Sequence, residues 1–271
     1  SDLPDYGLTD IITLMIEDNK RVGTFLMGEA KGPIGVNDRI ELAEAEAAIK
    51  DRINRKWMLA GVSIEDPAST YIGPDVVLGA DSVIRPQTMI LGQSKIGPNN
   101  VIGPMSYLEN VIIGKDNVIE MTRLIDSEVK DGSHLGPYLN VRGGSVIGNG
   151  NIVGNFNELK NVQTGNDVFC CHLSYLGDSN VGDRVNVGAG TIIANYDGVN
   201  KFHTDIEDDA FLGSGTILIS PIRVGEQAMV AAGSVITNDV PSHSMAIARK
   251  KQENKDGFAD VFKEKAKSKK K

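Results

Sequence analysis

The sequence has few aromatic residues, few cysteines and no excess of basic charge. Only 5% of its 271 residues are Phe, Trp or Tyr, so a core has to be filled by aliphatic side chains. Its two cysteines are adjacent, and because a disulfide between neighbours is strained, a disulfide framework is excluded. We therefore expect a reducing, cytoplasmic location. The formal charge of −8 argues against a general nucleic-acid-binding protein, which needs a basic face to displace counterions from phosphates.

Long apolar runs are also missing. None approaches the ~20 residues that cross a bilayer, and the first ten residues contain no charged-then-apolar leader, so we expect no membrane partner. Glycine, by contrast, is abundant at 30 residues. Abundant glycine with few aromatics favours a repetitive β architecture with many tight turns.

The beginning of the chain is predicted to be helical. Thr9 and Asp10 are candidate N-caps of a short amphipathic helix, and Asn37 and Asp38 are candidate caps of a long helix over 38–60. The apolar residues of the long helix are loosely spaced. This spacing fits either an exposed arm that joins two bodies or a helix packed on its own domain.

From Tyr71 onward, single aliphatic residues recur at a step of six, separated by Gly, Pro, Asn, Asp or Ser. A period of six fits neither a helix nor a simple strand, but it is typical of hexapeptide β-helices, in which each short strand points one aliphatic residue inward. The series is Ile72, Leu78, Ile84, Ile90, Ile96, Ile102, Leu108, then Ile113, Ile119, Ile125, Val129, Leu135, Val141, Ile147, Val153, Leu159, and later Val181, Val187, Ile193, Ile206, Leu212, Leu218, Val224, Val230, Ile236.

We therefore predict a mainly β chain built on a parallel β-helix of hexapeptide repeats. In the proteins that this pattern resembles, three hexads close one triangular coil and the coil winds left-handed. The predicted parts are a short α-rich segment over 1–37, a linker helix and connection over 38–70, the left-handed β-helix over 71–240 and a C-terminal tail over 241–271. The lysine-rich end of the tail is expected to be solvated and disordered.

The repeat is irregular in two places. Between Ile193 and Ile206 the polar segment "ANYDGVNKFHTD" is too long for one hexad, so it is predicted to leave the coil as a loop, and such loops often carry function. Stepping back by six from Val181 gives Tyr175 and then Phe169. Either two aromatic residues enter the core there or the coil is distorted.

The stretch "CCHLSYLGD" begins beside this second irregularity. A metal site is disfavoured, because strand alternation would place Cys170 and His172 together without a visible third or fourth ligand. A redox pair of adjacent cysteines would be strained. The remaining interpretation is a single reactive imidazole, His172. The other histidines, His134, His203 and His243, lie in polar or turn contexts that indicate exposed, uninvolved side chains, and only His203 is kept as a possible neighbour of a site.

The segment "HLSYLGDSNVGDRVNVGAGTIIANYDGVNKF", from His172 to Phe202, resembles the acetyltransferase half of the bacterial bifunctional enzymes that make UDP-N-acetylglucosamine. Those enzymes join a uridyltransferase domain to a glucosamine-1-phosphate N-acetyltransferase domain. The resemblance implies acetyl transfer from acetyl-CoA to the amine of glucosamine 1-phosphate, for cell-envelope biosynthesis. It also implies a homotrimer with shared active sites.

The resemblance makes residues 1–37 the end of a uridyltransferase domain. The Gly-rich nucleotide loop of that domain is not in the sequence, so uridyl transfer is expected to be absent. "GVNDR" matches a segment that helps to hold magnesium there, which makes Asn37 a remnant ligand without partners. Magnesium would serve only the missing half, and no metal is expected in the acetyltransferase site.

The resemblance also implies a role for individual residues. His172 would be the general base for direct attack of the amine on the thioester, without a covalent enzyme intermediate. Arg142 and Lys160 would hold the sugar phosphate, while Tyr175, Asn186 and Glu158 would orient the sugar. The residues expected to bind the coenzyme are Ala189, Asn195, Tyr196, Ser214, Ala232 and Arg249.

Simpler interpretations accompany these roles. Arg142 and Lys160 could be solvated edge charges, and Asn186 an ordinary turn residue. Two departures from the family bear on the site: Phe169, Cys170 and Cys171 replace a lysine and two small residues before the histidine, and "VRGG" replaces Arg-Pro-Gly. The alternative functions are an acyltransferase for another amino sugar or amino acid, and an inert structural module.

Overall fold

The computed structural model describes residues 7, 9–24 and 35–268, and the chain divides into two units, residues 1–49 and 50–271. In the first unit, helix α1 (Asp10–Glu17) has Thr9 at its N-cap, but the Thr9 side chain makes no capping hydrogen bond. No residue of α1 is buried. The part of the predicted segment 1–37 that falls on residues 1–6, 8 and 25–34 lies outside the described residues.

Helix α2 (Arg39–Leu59) confirms the long helix predicted over 38–60. Its cap is Asp38, whose Oδ1 accepts hydrogen bonds from the backbone N–H groups of Ile40 and Glu41, both at 2.8 Å. The Glu41 carboxylate accepts in return from the backbone N–H of Asn37 at 2.6 Å, which satisfies a further donor at the start of the helix.

The part of α2 that belongs to the second unit packs on the first coil of that unit. Trp57 joins the buried core, and the Asn54 amide donates to the carbonyl oxygens of Pro67 and Thr70 at 3.0 and 3.1 Å. Of the two alternatives for the long helix, packing on its own domain is therefore correct for this end of α2.

The strands of the second unit form three parallel faces that wind around one core. Face 1 is an 11-stranded sheet, and faces 2 and 3 are joined in one 17-stranded sheet because β17 and β19 cross the corner between them. Face 1 contains β1 (Ser63–Ile64), β4 (Val83–Ile84), β7 (Val101–Ile102), β10 (Val118–Ile119), β13 (His134–Leu135), β16 (Ile152–Asn155), β18 (Phe169–His172), β20 (Asn186–Val187), β23 (Phe211–Leu212), β26 (Met229–Val230) and β28 (Met245–Ala246).

The other two faces share the two longest strands. Face 2 contains β2 (Tyr71–Ile72), β5 (Met89–Leu91), β8 (Tyr107–Glu109), β11 (Arg123–Ile125), β14 (Asn140–Arg142), the first halves of β17 (Glu158–Thr164) and β19 (Tyr175–Val181), β21 (Ile192–Ala194), β24 (Ile217–Ile219) and β27 (Val235–Ile236). Face 3 contains β3 (Val77–Leu78), β6 (Lys95–Ile96), β9 (Ile112–Ile113), β12 (Glu128–Val129), β15 (Val146–Ile147), the second halves of β17 and β19, β22 (Thr204–Ile206) and β25 (Ile222–Val224).

Aliphatic residues of successive coils stack in register inside these faces. On face 1, for example, Ile84 pairs with Ile102 and Ile102 with Ile119, and all three are fully buried. Adjacent coils are therefore about 4.8 Å apart, the spacing of paired strands. The fold is the predicted left-handed parallel β-helix, with about ten turns.

Ile125, which the series placed inside, is outside, and of the two alternatives at Tyr175 and Phe169 the irregular coil is correct. Leu124, not Ile125, is fully buried, and the core residues before Val181 are Leu176 and Cys170, not Tyr175 and Phe169. The reason is a turn shortened by one residue, which gives a step of five instead of six and transfers the adjacent side chain to the surface. The coil therefore keeps an aliphatic or thiol core, and no aromatic ring enters it at this point.

Small polar side chains form a second buried stack that the hexad pattern did not reveal. Asn100 accepts from the backbone N–H of Asn117, Asn117 from Ser133, Ser133 from Asn151, and Asn151 from Val168, at 2.7–3.1 Å. Each buried oxygen thus satisfies the backbone of the next coil, which removes the cost of burying it.

Two segments leave the coil. Residues 195–203 form the loop predicted between Ile193 and Ile206, with Tyr196 and Lys201 paired across it. The lysine-rich end, expected to be disordered, is helical as far as Ser268, in helix α3 (Phe258–Ser268), which has no buried residue, and residues 269–271 lie outside the described residues. In the described ranges, none of the helices combines the length and the apolar character needed to cross a bilayer.

Candidate active site

The stretch that begins at Cys170 lies on β18, where the chain passes from the core to the surface. Cys170 is buried, Cys171 is half-buried and His172 is exposed. Burial raises the pKa of the Cys170 thiol from 9.0 to about 12, so it is a neutral core side chain. The expectation that Cys170 and His172 point to the same side is therefore wrong. Within the described part of the chain, no group of three or more His, Cys, Asp or Glu side chains is arranged to hold a metal ion.

His172 stands at the base of a column that we call the small-residue edge, made of Ala189, Ser214 and Ala232 in successive coils and ending at Arg249. Hydrogen bonds join each coil of the column to the next. The first three are backbone bonds, and the Arg249 guanidinium makes the last one. The donors and acceptors are Gly190 N to His172 O (3.3 Å), Gly215 N to Ala189 O (2.7 Å), Gly233 N to Ser214 O (2.8 Å) and Arg249 Nη1 to Ala232 O (2.6 Å). Five residues predicted separately thus share one edge, one coil apart.

A second group of predicted residues lies on face 2, which begins three residues after His172. Arg142 pairs with Lys160 in register, and Glu158 pairs with Tyr175. The Arg142 guanidinium donates twice to Glu158 Oε1, from Nη2 at 2.6 Å and from Nε at 3.1 Å. The Tyr175 ring extends along its own strand over Gly177. A Cβ added at Gly177 would lie 2.4 Å from the tyrosine hydroxyl oxygen. Glycine at 177 therefore makes room for this ring.

Lys201 is a third cation of this group, and sequence reasoning did not single it out. It comes from the loop over 195–203, and its side-chain amine, when neutral, can accept a hydrogen bond from the Lys160 ammonium group. This bond raises the pKa of Lys160 above its ordinary 10.5 and, with the charge of Lys160, lowers the pKa of Lys201. The prediction that the loop carries function was the one signal that pointed to it. We call Arg142, Lys160 and Lys201 the cation cluster.

A carboxylate, Asp178, lies against the cation cluster. Its oxygens accept hydrogen bonds from the Asn161 amide at 2.8 Å and from the Asn195 amide, and Lys160 Nζ is 3.6 Å away. Burial alone would raise the pKa of Asp178, but the bond from Asn161, the charge of Lys160 and the bond from Asn195 together lower it below 3.8. Asn195, expected on the coenzyme side, is thus bonded to the carboxylate beside Lys160.

The remaining predicted residues are more dispersed. Asn186 lies on face 1, paired with Phe169 and Phe211, and so does not share face 2 with the cation cluster. The hydroxyl of the exposed Tyr196 donates to the carbonyl oxygen of Gly198 within the loop, at 2.6 Å.

The other histidines fall outside the two groups. His203 lies 3.2 Å from Asp205 at the start of face 3, and His134 lies 3.5 Å from Glu120 on face 1. His172 lies on the small-residue edge, at the turn between face 1 and face 2. At most ~11 Å of chain separates it from Tyr175. Face 2 therefore has an exposed imidazole at the turn where it begins and the cation cluster towards its other end.

Comparison with known proteins finds the same repeat and extensive sequence similarity to one group of proteins. The family of hexapeptide repeats of succinyl-transferase matches residues 204–238. The bifunctional protein GlmU of Exiguobacterium sp. strain AT1b is 46% identical over 254 residues, and that of Halalkalibacterium halodurans is 43% identical over 254 residues. Over almost its whole length, this chain is similar to bifunctional GlmU proteins.

These alignments cover 94% of the chain but 56% of each GlmU protein, so the chain spans little more than half the length of those relatives. Among solved structures, the UDP-N-acetylglucosamine O-acyltransferase of Moraxella catarrhalis is 17% identical, with 61% of this chain and 70% of that chain covered and a TM-score of 0.46. The identity to GlmU bears on function, whereas this structural similarity does not.

Proposed function

We propose that this protein transfers acetyl from acetyl-CoA to the amine of glucosamine 1-phosphate, giving N-acetylglucosamine 1-phosphate for UDP-N-acetylglucosamine synthesis in the cytoplasm. The observation that carries the proposal is that two groups lie at the two ends of one face. His172 and the small-residue edge lie at the turn that leads into face 2, and the cation cluster lies towards the other end of that face. The 43–46% identity to proteins named bifunctional GlmU supports the same reaction.

In the proposed reaction His172 acts as the general base. Its imidazole accepts a proton from the sugar amine while the amine nitrogen attacks the thioester carbonyl carbon. A carbon–nitrogen bond forms, the carbon–sulfur bond then breaks, and the imidazolium returns the proton to the departing sulfur. The exposed position of His172 leaves the ring accessible to substrate. A base positioned in this way contributes roughly 10²–10⁴ to the rate.

The cation cluster would bind the phosphate of the acceptor. Arg142, Lys160 and Lys201 converge in a chain whose formal charge is −8, which favours a specific anion subsite over a generally basic surface. Charge-assisted hydrogen bonds from such groups are about twice as strong as neutral ones. Glu158 and Tyr175 lie beside the cluster and would contact sugar hydroxyls. Asn186 would approach the sugar from face 1.

The small-residue edge would bind the coenzyme. Ala189, Ser214 and Ala232 leave a low ridge on which a long, thin arm can lie against backbone, and Arg249 at its end would meet a phosphate. Asn195 and Tyr196 follow β21 at the start of the loop, at the other end of face 2, and would contact the coenzyme from there.

We further infer that the chain forms a homotrimer with shared sites. Below His172 the same edge carries large apolar side chains on left-handed turn residues: Met105, Met121, Tyr138, Phe156 and Leu173. Four of the five are more than half exposed, and the rings of Tyr138 and Phe156 stack with centroids 4.9 Å apart. An exposed apolar column of this length favours burial against another copy.

The proposed domains are a uridyltransferase remnant over 1–37, the linker over 38–70, the acetyltransferase β-helix over 71–240 and the tail over 241–271. The described residues around Asn37 do not fit a magnesium site. The Asn37 backbone is engaged in the start of α2, and no set of acidic or histidine ligands surrounds it in the ranges that the structure covers. We therefore assign no step to a metal.

A thiol-release assay tests the proposal. Free CoA should appear only when acetyl-CoA and glucosamine 1-phosphate are both present, with N-acetylglucosamine 1-phosphate as the product by mass spectrometry. A panel of unphosphorylated glucosamine, other amino-sugar phosphates and amino acids serves as the control. Faster turnover with any of these would indicate a different acceptor, and no binding of acetyl-CoA by calorimetry would favour an inert structural module.

A further inference from the structure

Asp178 makes contacts that a turn residue does not need. Its side chain is only 13% exposed, although it lies at a corner of the coil. There it accepts from Asn161 in the coil before it and from Asn195 in the loop after it, and it pairs with Lys160. Lys160 belongs to the group that would bind phosphate and Asn195 to the group that would bind the coenzyme. One carboxylate therefore connects the two.

Asp126 occupies the same corner position in an earlier coil and serves as a comparison for Asp178. Its φ of 46° matches the 48° of Asp178, and its Oδ1 accepts from Asn110 at 3.1 Å just as Asp178 accepts from Asn161. Asp126 differs in that none of the ion pairs found among the described residues involves it. The turn thus explains the bond to Asn161 but not the bonds to Lys160 and Asn195.

We propose that Asp178 is a positioning residue, which holds Lys160 and Asn195 in one geometry and so couples the acceptor subsite to the coenzyme subsite. This inference rests on the proposed acetyl transfer. A carboxylate has about four lone-pair positions, enough to serve all three donors at once. An asparagine at 178 would keep the shape, but it would turn one acceptor oxygen into an NH₂ group facing another donor.

The two possible roles of Asp178 predict opposite changes in sugar-phosphate binding when its charge is removed. If Asp178 were only a nearby negative charge, its removal would strengthen binding of an anionic sugar phosphate to the cation cluster. If it positions Lys160, the same removal weakens that binding although the site becomes more positive. The acceptor KM of Asp178→Asn therefore separates the two roles by direction.

The kinetic experiment compares Asp178→Asn with the matched control Asp126→Asn. We expect kcat/KM in Asp178→Asn to fall about 10- to 100-fold for both glucosamine 1-phosphate and acetyl-CoA, because small misplacements of substrate-holding groups have effects of that size. Asp126→Asn should stay within about 2-fold of the wild type. A lowered KM for glucosamine 1-phosphate, or an unchanged kcat/KM for acetyl-CoA, would overturn the proposal.

A double-mutant cycle covers the case in which Asp178→Asn does not fold. Lys160→Met and Asn195→Ala each remove one arm of the arrangement and leave Asp178 in place. Because both arms are held by one carboxylate, their effects on kcat/KM should be non-additive. Additive effects would contradict the coupling.

Competitive labelling of lysines tests the arrangement without any turnover. The charged and titratable groups around the two lysines are Arg142, Glu158, Tyr175 and Asp178, and the Asp178 carboxylate favours the protonated form of both lysines. Asp178→Asn should therefore shift the pH midpoints of amine acetylation at Lys160 and Lys201 downward, and Asp126→Asn should not. Unmoved midpoints would refute the contact between carboxylate and cluster. A wild type without turnover would instead refute the proposed function.

Discussion

Gly177→Ala is expected to impair acceptor binding without disturbing the fold. A Cβ at 177 would lie 2.4 Å from the Tyr175 hydroxyl oxygen, 2.7 Å from Cζ and 2.9 Å from Cε1, so the ring has to move by about 1 Å to reach ordinary contact. The obstructing atoms are the far end of one side chain, which moves more easily than backbone. A 1 Å displacement in a binding site can cost about 10²-fold in rate. We therefore expect kcat/KM for glucosamine 1-phosphate to fall by roughly 10- to 100-fold.

Gly73→Ala is the matched control for this variant. Gly73 also follows an inward aliphatic residue of face 2, but a Cβ there would meet its nearest neighbours at 3.5 Å, an ordinary contact. Initial rates of thiol release and thermal melts followed by circular dichroism should be measured on both variants. Gly73→Ala should melt within a few degrees of the wild type, since Gly→Ala at a compatible position changes stability by under about 1 kcal/mol, and Gly177→Ala should do the same because only the far end of one side chain has to move. Equal activity of the two variants would refute the assigned place of Tyr175.

Two further predictions concern a lysine and a cysteine. Lys201→Met should raise the KM for glucosamine 1-phosphate about 10-fold or more, the effect of losing one charged hydrogen bond, while the exposed Lys95→Met should not. The comparison is made by steady-state kinetics, and equal KM values would remove Lys201 from the site. The raised pKa of Cys170 implies stability that is complete below pH 9 and is lost as the pH rises from 9 towards 12, by up to about 1.4 kcal/mol per unit. Urea unfolding at pH 8 to 10 should show this slope in the wild type and in Cys171→Ala but not in Cys170→Val, and an equal slope in Cys170→Val would contradict it.

The six-residue period was sufficient to predict the coil, because every inward aliphatic residue needs the coils above and below it for burial. The period did not predict the inward residue where two neighbouring residues were both able to fill the core. At Leu124 and Ile125, and at Tyr175 and Leu176, the choice depends on a turn shortened by one residue, which the pattern does not encode. The same shortening puts Cys170 inside, apart from His172.

The site was harder to predict than the coil. Residues held by regular strands, such as Arg142 and Lys160, lie together as their spacing requires, since one coil separates them. Lys201 and Asn195 depend on the path of an irregular loop, and no period fixes where a loop returns. Asp178 has the sequence context of a turn residue, and only its burial between an amide and an ammonium group distinguishes it from Asp126.

The central claim is that His172 is the base for acetyl transfer, and one comparison tests it most directly. The turnover number of His172→Ala should be measured beside that of His134→Ala, whose exposed imidazole lies near Glu120 on the same face. We predict a loss of roughly 10²–10⁴ in kcat for His172→Ala, with acetyl-CoA binding by calorimetry retained, and wild-type turnover for His134→Ala. Undiminished turnover in His172→Ala would contradict the assignment of this base.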